Sequence, residues 1–219
     1  MATKPSPTTR RSDKDAKDGK GSLVELVVIV VVALGLALGI QQFLVKPFRI
    51  PSESMEPTLD VGQRVLVDRV SPRFGDPQRG DIIVFKPPQG ADDDAEVQCA
   101  EEKPGAPCAR AVNERSDTNF IKRVVGVGGD ELYVQRGRVL LKGKDGRFHQ
   151  QKESFIRPDE ACETCNLRTP IKIPKGRFFM MGDNRGNSTD SRVWGPVPKD
   201  WIIGGAFFTY WPPKRIGIP

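Results

Sequence analysis

Two serines stand between two prolines in Pro51-Ser52-Glu53-Ser54-Met55-Glu56-Pro57-Thr58-Leu59. Proline fixes its own φ and restricts the residue before it, so the stretch is constrained without being helical. A nucleophilic hydroxyl needs such placement, because a small misplacement forfeits much of the gain from orientation. A turn rich in Ser and Pro is the bland alternative. The second group is Lys122, in Asn119-Phe-Ile-Lys-Arg-Val-Val-Gly126. In a strand it shares a face with Phe120 and Val124, where desolvation disfavours its charged form. At the reference pKa of about 10.4 roughly one lysine in 2,000 is neutral at pH 7, and a fall of about three units makes it a competent general base. A snorkelling amine is the alternative there. Arg123, on the opposite face, needs no such account. The third group is the stretch from Met181 to Pro198, dense in turn formers and in side chains that bind backbone. Asp190 and Arg192 can pair within it, and it reads as a scaffold loop beside a site. The single histidine, His149, lies in a polar run and reads as a surface residue.

Strands must position these groups. Short runs rich in branched and aromatic residues fall at 64–68, 81–85, 120–125, 132–135, 138–141, 177–181 and 202–211. The fourth and fifth read as a hairpin around Gly137. The expected fold is mainly β: one N-terminal transmembrane helix, then an antiparallel catalytic domain with a smaller inserted β/loop region. Polar stretches at 87–118 and 142–172 read as surface insertions. Asp92-Asp93-Asp94 lacks the alternating oxygen ligands of a calcium loop and reads as a solvated acidic turn.

The 219 residues carry a net charge of +6 and are 37% hydrophobic, which excludes a wholly disordered chain. Residues 1–22 hold six Lys/Arg against three Asp, and read as a disordered cytoplasmic tail. Residues 23–45 hold only Glu25 as a charge, and as a helix they measure about 34 Å, enough to cross a bilayer core. A cleaved secretory signal is the alternative, since Ala37-Leu38-Gly39 is small-x-small; length favours an anchor. The basic flank keeps the N-terminus in the cytoplasm and puts residues 46–219 outside. No dense Lys/Arg block follows, so nothing asks for nucleic acid.

The four cysteines, Cys99, Cys108, Cys162 and Cys165, all lie on the expected outer side, where disulfides persist. Local pairs, Cys99–Cys108 and Cys162–Cys165, are favoured among the three possible pairings. Each would staple one insertion. Zinc and a thioredoxin-like role compete, but the ligand spacing and the helix-start context are missing.

In this order behind an apolar helix, PSESMEPTL, RGDIIVFKPP, NFIKRVVGVGGD and GDNRGNSTDSRVWGPVP resemble bacterial type I signal peptidase, the Ser-Lys dyad family. The likeness covers roughly residues 47–86, 119–130 and 178–198, and none of the insertions. It implies a membrane-bound serine endopeptidase that removes signal peptides from exported preproteins after Ala-x-Ala sites at the outer face of the cytoplasmic membrane. Partners would be preproteins, lipid and the export machinery; no metal or organic cofactor would be needed. By the same resemblance Ser54 is the nucleophile and Lys122 the base, while the Ser54 N–H and Ser52 hydroxyl form the oxyanion hole. Ser188 orients the lysine amine, and Asp190 and Arg192 hold the loop. Phe48, Ile50, Leu59 and Ile121 line pockets for small substrate side chains. Phe120 stands where the family often has tyrosine. Two rivals remain: an anchored non-catalytic binding module, indifferent to Ser54 and Lys122, and a self-cleaving Ser-Lys protein of the repressor type, which would be soluble and carry a DNA-binding segment.

Overall fold

The first element of the computed structural model is a long helix, α1 (Asp15–Phe43); the structure describes residues 15–91, 99, 100, 106–156 and 165–219. Within α1, Ser22–Ile40 is a 19-residue span of mean hydropathy 2.9, none of it buried. Leu, Ile and Val side chains face outward all round it. A helix this long, with neither a polar face nor protein cover, is a membrane anchor by length and composition. Among the described residues no other helix qualifies.

The chain divides after Gln42, and Phe43–Pro219 folds as a unit. Its strands are β1 (Val45–Arg49), β2 (Arg64–Asp68), β3 (Ile82–Phe85), β4 (Phe120–Val127), β5 (Glu131–Gln135), β6 (Arg138–Lys142), β7 (Phe148–Gln150), β8 (Ile171–Lys172), β9 (Arg177–Met181), β10 (Val197–Pro198) and β11 (Ile202–Trp211). Two one-turn helices, α2 (Ser71–Phe74) and α3 (Ser191–Trp194), interrupt them. One sheet has seven strands in the order β1-β2-β11-β3-β4-β9-β10, and the other has four, β7-β6-β5-β8. Every pairing is antiparallel. The mainly β reading of the sequence holds.

Local chemistry explains most of these elements. The β5–β6 hairpin turns through Arg136 and Gly137 at φ 50° and 70°, the two positive values that a type I′ turn requires. Strand β1 carries Pro47, which cannot donate to a ladder; it is tolerated because β1 is an edge strand. Strands β7 and β8 come from within 142–172 and pair with β6 and β5, so part of that insertion is sheet. His149 sits on β7 with its ring 2.8 Å from Asp145, over half exposed. Asp92, Asp93, Asp94 and Cys162 lie outside the described residues.

Three apolar clusters fill the unit. Ile83, Phe85, Val124, Met180 and Trp194 belong to the first. Leu132, Val134 and Val139 meet Phe179 and Met181 in the second, joining the two sheets. Ile50, Met55, Leu59, Val65, Val67 and Ile121 make the third. The residues between Pro51 and Leu59 rest on that third cluster.

Candidate active site

Ser54 occupies a single 3-10 turn, Glu53–Met55, that follows extended Ser52. Met55 and Leu59 are fully buried in the third cluster and pin the turn from below. The Leu59 N–H donates to the Met55 carbonyl at 2.9 Å, and Ile50 and Gln63 close the loop's neck at 2.8 Å. The two prolines thus bracket an anchored turn, and Ser54 itself is only 7% exposed.

Strand β4 delivers Lys122, paired with Ile83 on β3. Its amine lies 2.6 Å from the Ser54 hydroxyl oxygen, and the residue is 3% exposed. Burial lowers its pKa from 10.5 to about 8; the charges of Asp190 and Asp183 pull it upward and that of Arg192 pushes it down. At pH 7 about one molecule in ten therefore holds a neutral amine, a large gain over a free lysine. The Phe120 ring on the same face stands 5.4 Å from the nitrogen. The Ser52 hydroxyl is 3.3 Å from that of Ser54.

The loop after β9 closes over the pair. Asp190 is fully buried and accepts hydrogen bonds from the Gly182 N–H, the Ser188 hydroxyl and the Arg192 guanidinium, at 2.8 to 3.0 Å. Burial pushes its carboxyl upward, but Arg192, the Gly182 N–H and the Lys122 charge together hold it below the usual range. Ser188 thus points its proton at Asp190. The Asn184 N–H reaches the Ser54 carbonyl at 3.1 Å, tying loop to turn. Gly182 makes this approach possible, since a Cβ there would overlap the Ser188 side chain and the Ser54 carbonyl.

Phe48, Ile50, Leu59 and Ile121 are brought together in the third cluster; the last three are buried and Phe48 packs against its edge. Cys99 and Cys108 form a disulfide, and Cys165 is disulfide-bonded too. Among the described residues no group of three or more His, Cys, Asp or Glu is placed to hold a metal ion.

Two buried ion pairs escaped the sequence reading. Arg123 grips Asp183 with two hydrogen bonds at 2.7 and 2.9 Å, and Thr58 also donates to Asp183. Its guanidinium stacks on Phe155 at 3.9 Å. So Arg123 is buried as well, 7% exposed against 3% for Lys122. Arg185, 1% exposed, pairs with Glu153 at 2.6 Å and reaches the carbonyls of Gly137 and Gly182. The available signal was two adjacent cations within an apolar run, which alternation sends to opposite faces of a strand buried on both.

The family model described as Signal peptidase, peptidase S26, matches residues 23–211. The chain belongs to this family. The signal peptidase I of Leptolyngbya laminosa is similar at 37% identity, over 97% of this chain and 93% of that protein. A probable signal peptidase I-2 of Synechocystis is 35% identical over 94% and 82% respectively. A probable thylakoidal processing peptidase 2 of Arabidopsis thaliana is 34% identical over 94% of this chain and 50% of its own length. Membership makes the chain a serine endopeptidase of the signal peptidase I type, carried by one apolar helix.

Proposed function

We propose that Ser54 and Lys122 are the nucleophile and general base with which this signal peptidase cuts preproteins after small-x-small, Ala-x-Ala-like, sites. The neutral Lys122 amine takes the hydroxyl proton as Ser54 Oγ attacks the scissile carbonyl carbon. The resulting oxyanion is held by the Ser54 N–H and the Ser52 hydroxyl, donors of a kind typically worth about 3 kcal/mol each. Collapse breaks the C–N bond, and the Lys122 ammonium gives its proton to the departing amine. Water then attacks the ester at Ser54, losing a proton to Lys122, which returns one to Ser54 as the cut signal peptide leaves as a carboxylic acid.

Ser188, Asp190 and Arg192 hold the lysine's surroundings, while Phe48, Ile50, Leu59 and Ile121 bound the pockets for small side chains. Residues 1–22 are the tail, 23–45 the span and 46–219 the catalytic domain, on the outer face of a bacterial cytoplasmic membrane. There the enzyme meets preproteins emerging from the export machinery, with the substrate's apolar segment in the same bilayer. The observation that carries the reading is the 2.6 Å contact between two buried groups, one of them a lysine shifted to about 8.

The test uses detergent-solubilised protein and a preprotein with an Ala-x-Ala site, beside Ser54→Ala and Lys122→Met variants. Cleavage after the second alanine by the parent and by neither variant is the expected result. A folded but inert parent, or a Ser54→Ala protein that still cuts, would sink the mechanism.

A further inference from the structure

A groove of about 590 Å³ opens where the ends of β2, β3 and β11 meet. Arg69, Arg73, Lys86, Arg115 and Lys199 line it, against Asp200 as the one lining carboxylate. Pro72, Trp201 and Ile202 give it an apolar floor. Lys86 pairs with Asp117 and Lys199 with Asp76, but both carboxylates lie largely in solvent, and Arg115 donates to the Asp200 carbonyl at 3.3 Å. Such exposed pairs are weak and easily exchanged for another anion. Among the described residues Arg73 meets no carboxylate, and beside it Phe74 is 86% exposed, the second most exposed of the large apolar side chains.

Its place in the chain says what would reach it. The Arg69 N–H donates to the Leu44 carbonyl at 3.0 Å, and Asp68 pairs with Val45. The apolar span ends at Ile40, four residues earlier. Four residues reach at most about 14 Å, so covalent connection alone keeps Arg69 near the headgroup layer. Phe43 and Leu44, in between, are exposed and apolar. A cationic rim, an apolar floor and an exposed aromatic side chain beside two arginines match the needs of an interfacial site.

We infer that this groove binds the phosphodiester headgroup of an anionic phospholipid. Arg73 and Arg115 meet the phosphate, and Trp201 and Pro72 take the glycerol and first methylenes. The site is separate from the Ser54–Lys122 pair and rests on the membrane anchor, not on the cleavage chemistry. An acidic protein segment would fit the charge, but the short chain connection from Ile40 to Leu44 favours lipid.

The probe is full-length protein in neutral-detergent micelles doped with phosphatidylglycerol or phosphatidylcholine, each carrying a nitroxide beside the glycerol. Tryptophan quenching should favour phosphatidylglycerol by about fivefold in apparent affinity, the scale of one basic side chain at an anionic surface. The Arg73→Glu/Arg115→Glu protein should lose that preference while keeping its melting temperature and its rate of preprotein cleavage in neutral detergent, since both side chains are exposed. Equal quenching by both lipids, or a preference the double variant retains, overturns the proposal. So does abolition of the preference by glycerol 3-phosphate at an equal concentration, which would make the groove a site for soluble phosphate.

Discussion

Strand β4 and the loop from Gly182 to Gly195 both face the same serine, yet they are held in opposite ways. Main-chain ladders to β3 and β9 hold β4 on both sides, so Lys122 is placed by backbone. Its neighbour across the site has only a 3-10 turn and one helical turn of its own. Side chains hold it instead: Asp190 to Arg192, Arg185 to Glu153, and the Ser191 hydroxyl to the Met180 N–H. Two disulfide-bonded sulfurs touch it as well. Cys108 Sγ lies 3.2 Å from the Trp194 carbonyl, and Cys165 Sγ lies 3.3 Å from that of Arg185. A ladder loses little when one side chain changes, whereas an ion pair cut in half leaves a buried charge stranded.

Substitution on the strand should therefore silence the enzyme without loosening it. Lys122→Met is expected to lower cleavage at least about 10³-fold, on the scale of other lost catalytic bases, yet to raise the melting temperature at pH 7. A lysine shifted from 10.5 to about 8 costs the folded state about 3 kcal/mol while protonated. The unfolded chain binds the extra proton between those values, so parental stability climbs as pH rises from about 8 to 10.5, and the Met variant should lack that rise. Denaturant melts across pH check both. Below pH 8 the parental kcat/KM should rise about tenfold per pH unit, flattening above.

On the loop the effect should reverse. Asp190→Asn strands Arg192 and is expected to cost about 3–5 kcal/mol of stability. It also removes a charge that raises the Lys122 pKa, so the acid limb of whatever activity survives should move to lower pH. A destabilised variant with an unmoved limb would show that Asp190 braces the loop without tuning the lysine. Gly182→Ala probes the seam between the regions: the new methyl displaces Ser188 or the Ser54 turn, and kcat should fall about 100-fold with KM nearly unchanged. The smallest effect is expected from Cys99→Ser/Cys108→Ser, which frees the segment against Trp194 and Gly195. About a threefold loss in rate should match what a reductant does to the parent at that bond. No loss would leave the ion pairs, the Ser191 hydrogen bond and the Cys165 contact as the brace.

The same contrast sets what could be read from the chain. Strands β2, β9 and β11 stand at the expected residues, because branched and aromatic runs bounded by turn formers are local signals. Strand β1 went unread because Pro47 argues against a strand until its edge position is known, and β10 is two residues long. Ser54 and Lys122 could be singled out from constraint and from a cation on an apolar face. Arg123–Asp183 and Arg185–Glu153 could not: their partners are 60 and 32 residues apart, and only the folded loops bring them together.

The enclosed Lys122 has an evolutionary consequence. A fold that is strained by its own base lies one codon change from a sturdier, silent relative. Selection for stability alone would favour that relative, so the lysine persists only while cutting itself is selected. Duplicated copies released from that duty should decay first at this position, into stable proteins that still sit in the membrane and no longer cut.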